Sequence, residues 1–403
     1  MAGGKNNIVI VGGGFAGVRA ALDLCALLGD LPKHRIVLID RNTYHLYTPW
    51  MYEHAATATV SRKLLKFPYS AIFRNKPVEV IRGEVEKIDR HTKKISLKSK
   101  QIIPYDILIM ACGSVTNDFG IPGVKRHGLL LKTIEDAERI RTTIRERFLR
   151  FLEGHKEGKV FQVLVGGGGV TGSEFTAQLH SYLKDIARTV AHDEGTFLIK
   201  IVESSPKLLG GMSDWESRQA QERIGSYRRI EILLQHRIAR VNAASISIAN
   251  GDSLTYDVFI WTGGIQANPL VTTADLVTTK KGRAEVNMSL QSVCDPSVFV
   301  IGDSASCINP ETHEQSRETV ESAYKQGVLA AANTWRLLTK RELLAFDHKL
   351  TGNLIPLKSN WAISTLFGIR LQGLLAYWLV RVVNLRYLLW ILPTKDAINR
   401  WLS

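Results

Sequence analysis

NNIVIVGGGFAG, residues 6–17, and FQVLVGGGGVTG, residues 161–172, decide how this chain is read. Each is an apolar strand running into a glycine-rich turn that opens a helical stretch. In the first, Gly12, Gly14 and Gly17 separate the strand from a helix predicted over 18–28. Gly12 permits the tight turn, Gly14 lets the backbone approach a pyrophosphate, and Gly17 allows close helix–strand packing, while the helix N-terminus faces the phosphates. Gly13, Phe15 and Ala16 complete the loop. The next strand, 35–39, ends in Asp40, followed by Arg41, and this carboxylate suits the hydroxyls of an adenosine ribose. The interval from loop to acid exceeds the usual ~20 residues, which assigns the excess to the hydrophilic turn 29–34.

The second unit repeats the arrangement: Gly167, Gly169 and Gly172, a helix over 173–184, a strand over 197–202, then Glu203. One such loop is a common glycine-rich turn. Two, each with its acid, imply two dinucleotides held against one another and electron transfer within the chain. A carboxylate at the ribose repels a 2′-phosphate, and no arginine follows in SSPKLLGG, so NADH is favoured over NADPH at Glu203.

A length of 403 residues accommodates two or three domains at about 150 each. Cys25, Cys112, Cys294 and Cys307 show no paired spacing, which argues against a metal knuckle or a disulfide framework and for a reducing compartment. MAGGKNN is short and polar, so no secretory segment is expected before the first strand. The formal charge is +14, which suits nucleic acid, an anionic membrane or solubility. No helix-turn-helix, finger or aromatic-interleaved basic platform is present, so no nucleic-acid partner is expected.

Strands over 78–89 and 93–97 read as a pair, and 104–110 as a further strand that delivers Ala111, Cys112 and Gly113 to a close turn. IPGVKRHG is a linker, and an amphipathic helix over 133–153 leads into the second unit. Beyond it, a strand over 256–261 enters WTGG with Gly263 and Gly264. A strand over 298–301 precedes Gly302 and Asp303, and a helix covers 320–338. The fold class is α/β: two Rossmann-like dinucleotide-binding domains and a C-terminal membrane-associating helical region. The expected division is 1–120, 121–252, 253–345 (returning to the first domain) and 346–403.

The tail holds LFGIRLQGLLAYWLVRVVNLRYLLWILP, in which Arg370, Arg381 and Arg386 break the apolar runs. A spanning helix wants about 20 apolar residues, and the longest charge-free run, 371–380, has ten. An amphipathic helix at the headgroup boundary is the expectation; a dimer interface or a core helix would use the same residues. The last fifty residues carry six basic side chains and one acidic one, a balance suited to anionic lipid.

The order GGGFAG, YDILIMACGS, VGGGGVTGSE, IVESSPKLL, DVFIWTGG and VFVIGDSA resembles the two-dinucleotide-binding-domain flavoproteins. Within them it is most similar to type II NADH:quinone oxidoreductases, single-subunit respiratory enzymes that pump no protons. The resemblance implies FAD on the first loop with Asp40, NADH on the second with Glu203, and Gly302 and Asp303 at the flavin's ribityl and pyrophosphate. It further implies a backbone contact from Val85 near the adenine, Ala111, Cys112 and Gly113 along the cofactor, and Thr48 and Pro49 beside the isoalloxazine. Glu174 would lie near flavin and nicotinamide and relay protons; as a plain helix N-terminal acid it would only complement the dipole. Partners implied are NADH, a membrane quinone, the cytoplasmic face of the cell membrane and a second copy of the chain in a homodimer. The family's quinone-pocket stretch, like AQxAxQQ, is altered here: from Val320 onward the chain reads VESAYKQ, so Glu321 and Lys325 replace neutral amides. Their i,i+4 spacing predicts an ion pair.

Overall fold

Ile8, Val9, Ile10 and Val11 leave almost no surface to solvent, as expected of a central parallel strand buried on both faces. The computed structural model describes residues 6–29, 33–57, 59–154, 158–358 and 360–402. By packing, the chain forms two units: 1–46, 66–115 and 265–350, and 47–65, 116–264 and 351–403.

In the first unit, Asn6–Val11 pairs in parallel with His34–Asp40 on one side and Ile107–Met110 on the other. The chain winds outward through His34–Asp40 to Val78–Arg82, then returns across the first strand to Ile107–Met110 and Asp295–Val300. The order therefore reverses beside Asn6–Val11, and a doubly wound sheet opens its ligand crevice at that reversal. Three short strands ending in Ala305–Cys307 complete eight. The stretch 78–89 is two strands broken at Gly83. Val78–Arg82 joins the large sheet, and Val85–Asp89 turns away to pair antiparallel with Lys94–Leu97. The stretch 104–110 likewise divides, with Ile102–Pro104 closing that small sheet.

The second unit has five parallel strands in the order Leu129–Leu130, Val258–Trp261, Phe161–Gly166, Phe197–Val202, Ile230–Leu233. Here the reversal lies beside Phe161–Gly166. Because Val258–Trp261 pairs with Phe161–Gly166, residues 253–264 pack with this unit rather than with the first, and 47–65 join it as well. The helix Ile134–Glu153 starts at Thr133 with a capping box closed by Asp136. The loop helix runs Val170–Thr189, longer at both ends than 173–184. That length and the turn Glu194–Thr196 account for the stretched interval to Glu203. In the first unit the interval 29–34 lies partly outside the described residues.

The tail begins as a sheet, not a helix. Gly352–Pro356, Ala362–Leu366 and Ile369–Gly373 form an antiparallel meander, and Asn353 donates to the buried carboxylate of Glu216 at 2.9 Å. The helix Leu374–Ile391 follows, packed on this sheet through Ala376, Val380 and Tyr377 against Ala362, Leu354 and Leu371. By length and composition it is long and apolar enough to cross a membrane, a correction to the reading from charge-free runs: over eighteen residues, two arginines do not outweigh the leucines, valines and aromatics. Nor is it amphipathic in composition. It is apolar nearly all round, with Leu375, Trp378, Val382 and Leu389 exposed along one stripe.

Phe148, fully buried, packs its ring 5.1 Å from Phe161 and 6.0 Å from Phe197. Phe148→Ala is expected to cost about 3–5 kcal/mol, read as a lower urea midpoint; a loss below about 1 kcal/mol would contradict this packing.

Candidate functional site

Both glycine loops are built by close backbone approach. Gly12 has φ +104°, and a Cβ there would lie 2.3 Å from the carbonyl oxygen of Ala111; a Cβ on Gly17 would lie 1.9 Å from the oxygen of Gly12. The second loop repeats this with Gly167 at φ +110° against Gly263, and with Gly172 packed on the oxygen of Gly167. These contacts seat a helix N-terminus at each sheet's reversal. Gly14 and Gly169 face open space, and neither loop helix has a side-chain cap, whereas Thr133 and Ser213 cap theirs in full. Uncapped N–H donors beside a cleared backbone are what a pyrophosphate requires.

The acids reach the loops. The N–H of Gly13 donates to Asp40 Oδ2 at 2.6 Å, and Asn42 donates to Oδ1 at 2.7 Å. In the second unit, Gly168 donates to Glu203 Oε2 at 2.6 Å and Ser205 to Oε1 at 2.7 Å. Each carboxylate is thereby fixed at its loop with lone pairs left for ribose hydroxyls. Arg41 follows directly and its charge opposes the rise that burial imposes on the Asp40 carboxyl. Gly168 and two buttresses of the first loop escaped the sequence reading: Tyr69 donates to the carbonyl of Gly13 at 3.0 Å, and His45, wholly buried, meets the same oxygen through Nδ1 at 3.0 Å. Within a run of four glycines nothing singles out Gly168, and no local pattern ties positions 45 and 69 to position 13.

The first unit brings its other expected residues together. Ser114 donates to Asp303 Oδ2 at 2.7 Å, and Ser304 to the carbonyl of Gly113 at 2.7 Å. Asn268 donates to the carbonyl of Cys112. Gly302, at φ +72°, gives its N–H to Gln326 Oε1 at 2.7 Å. Gln326 lies on the helix Val320–Leu338, whose Gly327 admits the backbone of Ala16 so closely that a Cβ would stand 2.5 Å from its carbonyl. Loop, returning strand and last helix thus enclose one crevice. Val85 opens the small antiparallel sheet, opposite Leu97. Glu321 and Lys325 form the expected pair at 3.0 Å, and Lys325 also donates to the carbonyl of Lys349.

In the second unit, Thr48 and Pro49 form a single helical turn after the buried Tyr47. The helix Met51–Ala56 follows with Glu53. Gly263 lies against the ring of Trp261, and Gly264, at φ +152°, against Phe119. Glu174, on the loop helix, is 7% exposed. Because the helix begins at Val170, Glu174 stands beyond its first turn, and the helix dipole does little for its charge. Burial instead drives the carboxyl well above the carboxylate range, and the charge of Glu53 pushes it further. Glu53, itself raised by burial, is eased by the Thr59 hydroxyl and by Arg381, so it ionises first. The pair can hold one proton on Glu174 at neutral pH.

The four thiols are free. Burial lifts Cys112 to about 12 and Cys25 and Cys307 to about 11, which leaves these three protonated and poorly nucleophilic at neutral pH.

The family model described as pyridine nucleotide-disulphide oxidoreductase matches residues 6–327. The chain is 27% identical over 390 residues to the type II NADH:quinone oxidoreductase of Staphylococcus epidermidis, covering 96% of each. The Staphylococcus aureus enzyme of the same name is 26% identical over the same span. Among solved structures, NDH2 from Plasmodium falciparum in complex with NADH superposes with a TM-score of 0.85 at 18% identity, covering 99% of this chain and 97% of that one. The sulfide:quinone oxidoreductase of Aquifex aeolicus gives 0.79 at 18%, covering 97% and 92%. At such identities these structures establish the fold.

Burial depresses the His45 imidazole from 6.5 to about 4. The unfolded chain therefore takes up a proton that the folded loop refuses, and stability falls as pH drops from 6.5 towards 4, by about 3 kcal/mol at most. Urea midpoints measured across that range should fall less in His45→Asn than in the wild type; parallel curves would remove His45 from this role.

Proposed function

The chain belongs to the pyridine nucleotide-disulphide oxidoreductase family, and from that premise we propose that it is an NADH:quinone oxidoreductase that carries FAD and pumps no protons. The observation that carries the reading is the duplicated uncapped loop with its acid, Gly13 on Asp40 and Gly168 on Glu203. The resemblance to type II NADH:quinone oxidoreductases along 96% of the chain supports the choice of acceptor.

The first loop, with Asp40, Asp303 and the 111–113 turn, holds FAD; the second, with Glu203, admits NADH and disfavours NADPH by charge. A flavin held by these residues would supply the chemistry of accepting a hydride from NADH and passing the electron pair on to quinone. The net reaction consumes one proton, converting NADH, H⁺ and quinone into NAD⁺ and quinol. Glu174 is the group suited to deliver it, since burial keeps it protonated and the charge of Glu53 favours that proton. By the resemblance, Thr48 and Pro49 would neighbour the flavin ring. The Glu321–Lys325 pair leaves a neutralised helix face for an uncharged quinone. Orientation and the placement of protons are the protein's contribution.

Quinone reaches the site from the membrane. The exposed stripe of Leu375, Trp378, Val382 and Leu389, together with Phe367 and Ile369 on the preceding hairpin, forms an apolar face. Arg386 is exposed on the same helix, and the tail is strongly basic. A helix covered on one side by its own sheet and apolar on the other lies in the headgroup boundary of an anionic leaflet. On this reading the protein is peripheral, and the resemblance to type II NADH:quinone oxidoreductases further implies the cytoplasmic face and a homodimer.

Anaerobic bleaching of the yellow protein by NADH, followed by menaquinone or ubiquinone analogues, tests both halves. Absence of bleaching removes the NADH half, and bleaching without reoxidation removes the quinone half. Glu174→Gln should bleach normally yet reoxidise with quinone at least about tenfold more slowly; unchanged turnover excludes the residue. Deleting the tail would strip the meander and its packed core, so membrane attachment is better tested by Leu375→Glu with Trp378→Glu. This variant should stay folded and fail to float with anionic vesicles, whereas wild-type flotation in the variant would refute the apolar face.

A further inference from the structure

A cavity of about 470 Å³ opens within the second unit, lined by no residue of either glycine loop. His54, Ser61 and Arg62 form one wall, Arg141 and Arg145 another, and Tyr182 closes it. Its charges are unevenly satisfied. Arg62 is neutralised by Glu135 at 2.6 Å and Glu138 at 2.9 Å. Among the described residues, Arg141, half-buried, touches the carbonyls of His54 at 3.4 Å and Thr57 at 3.3 Å and, at 3.5 Å, the His54 ring. Among the described residues none pairs with Arg145, and Glu146, exposed at the rim, pairs with neither. Arg141 and Arg145 stand one helical turn apart, a like-charge spacing that weakens a helix unless an anion sits between them.

The second observation is a histidine. His54 is 1% exposed, and its Nδ1 donates to the carbonyl of Val60 at 2.6 Å. That bond places the proton on Nδ1 and leaves Nε2 as an acceptor, yet Nε2 is buried and, among the described residues, has no hydrogen-bond partner. The nearest charge, Glu138 Oε1 at 3.8 Å, is too far for a hydrogen bond and is itself an acceptor. Orphaned buried acceptors are rare and costly. His54 Nε2 therefore calls for a donor, and the neighbouring Arg141 and Arg145 for an anion.

We propose that the cavity binds a small phosphate monoester bearing a free hydroxyl, of the sugar-phosphate class, with its phosphate on Arg141 and Arg145 and its hydroxyl donating to Nε2 of His54. Two guanidiniums one turn apart, with the Tyr182 hydroxyl beside them, match the several oxygens of a tetrahedral dianion better than one planar carboxylate. The volume lies within the range of small-molecule sites and exceeds what inorganic phosphate fills. Occupancy would tie the helix Met51–Ala56, which carries both His54 and Glu53, to the helix Ile134–Glu153.

Calorimetric titration of the full-length flavoprotein at constant ionic strength tests this, with ribose 5-phosphate, inorganic phosphate, ribose and citrate as separate titrants. Expected are a single site for ribose 5-phosphate, weaker binding of inorganic phosphate and none of ribose. Loss of one charge-assisted contact should weaken ribose 5-phosphate about tenfold or more in Arg145→Gln and in Arg141→Gln. His54→Leu should abolish the preference for the ester over inorganic phosphate. Arg145 is exposed, so its variant keeps the fold even if Arg141→Gln disturbs the helix. No binding of ribose 5-phosphate to the wild type, undiminished binding in Arg145→Gln, or tighter binding of citrate would each overturn the proposal.

Discussion

The contact on which the rest of the molecule depends is a backbone passing where a side chain would otherwise stand. At Gly12 the chain runs against the carbonyl of Ala111, and at Gly167 against Gly263. Each contact locks a strand end to the neighbour across the sheet's reversal and aims the following helix at the opening. The N–H groups left bare there are costly in isolation. They are the reason the acids Asp40 and Glu203 hold one loop amide each and leave the others for phosphate oxygens.

That duplication was legible in the sequence because glycine spacing, strand hydrophobicity and a terminal acid are all local. So were the amphipathic helix over 133–153 and the Glu321–Lys325 pair, since both follow from the spacing of residues along a helix. Hidden were the contacts that close over long sequence distance: His45 and Tyr69 on Gly13, and Gln326 on Gly302. The tail misled for a different reason. Its apolar residues read as one helical run, yet residues up to Gly373 form a three-stranded meander, where alternation is masked because both faces of the sheet are partly covered.

Glu174 shows how position and environment can oppose one another. The sequence suggests an acid at a helix start, but the helix begins earlier, at Val170, and the closed interior refuses the charge of this enclosed carboxylate. Glu53 then settles which of the two acids keeps the proton. An acid at that place in the chain is a helix-end residue by sequence and a proton store by packing.

Tyr47 donates to Asn384 at 2.7 Å and stacks near Tyr387, at 5.4 Å between centroids. The residue just before Thr48 and Pro49 is therefore held by the helix Leu374–Ile391, across 337 positions of sequence. Transplanting this tail onto a relative, or exchanging it for a different lipid-binding segment, would leave a buried phenol without its acceptor. A replacement segment would have to supply an acceptor in the place of Asn384, so the tail is part of the packing of this unit and not an appendage to it.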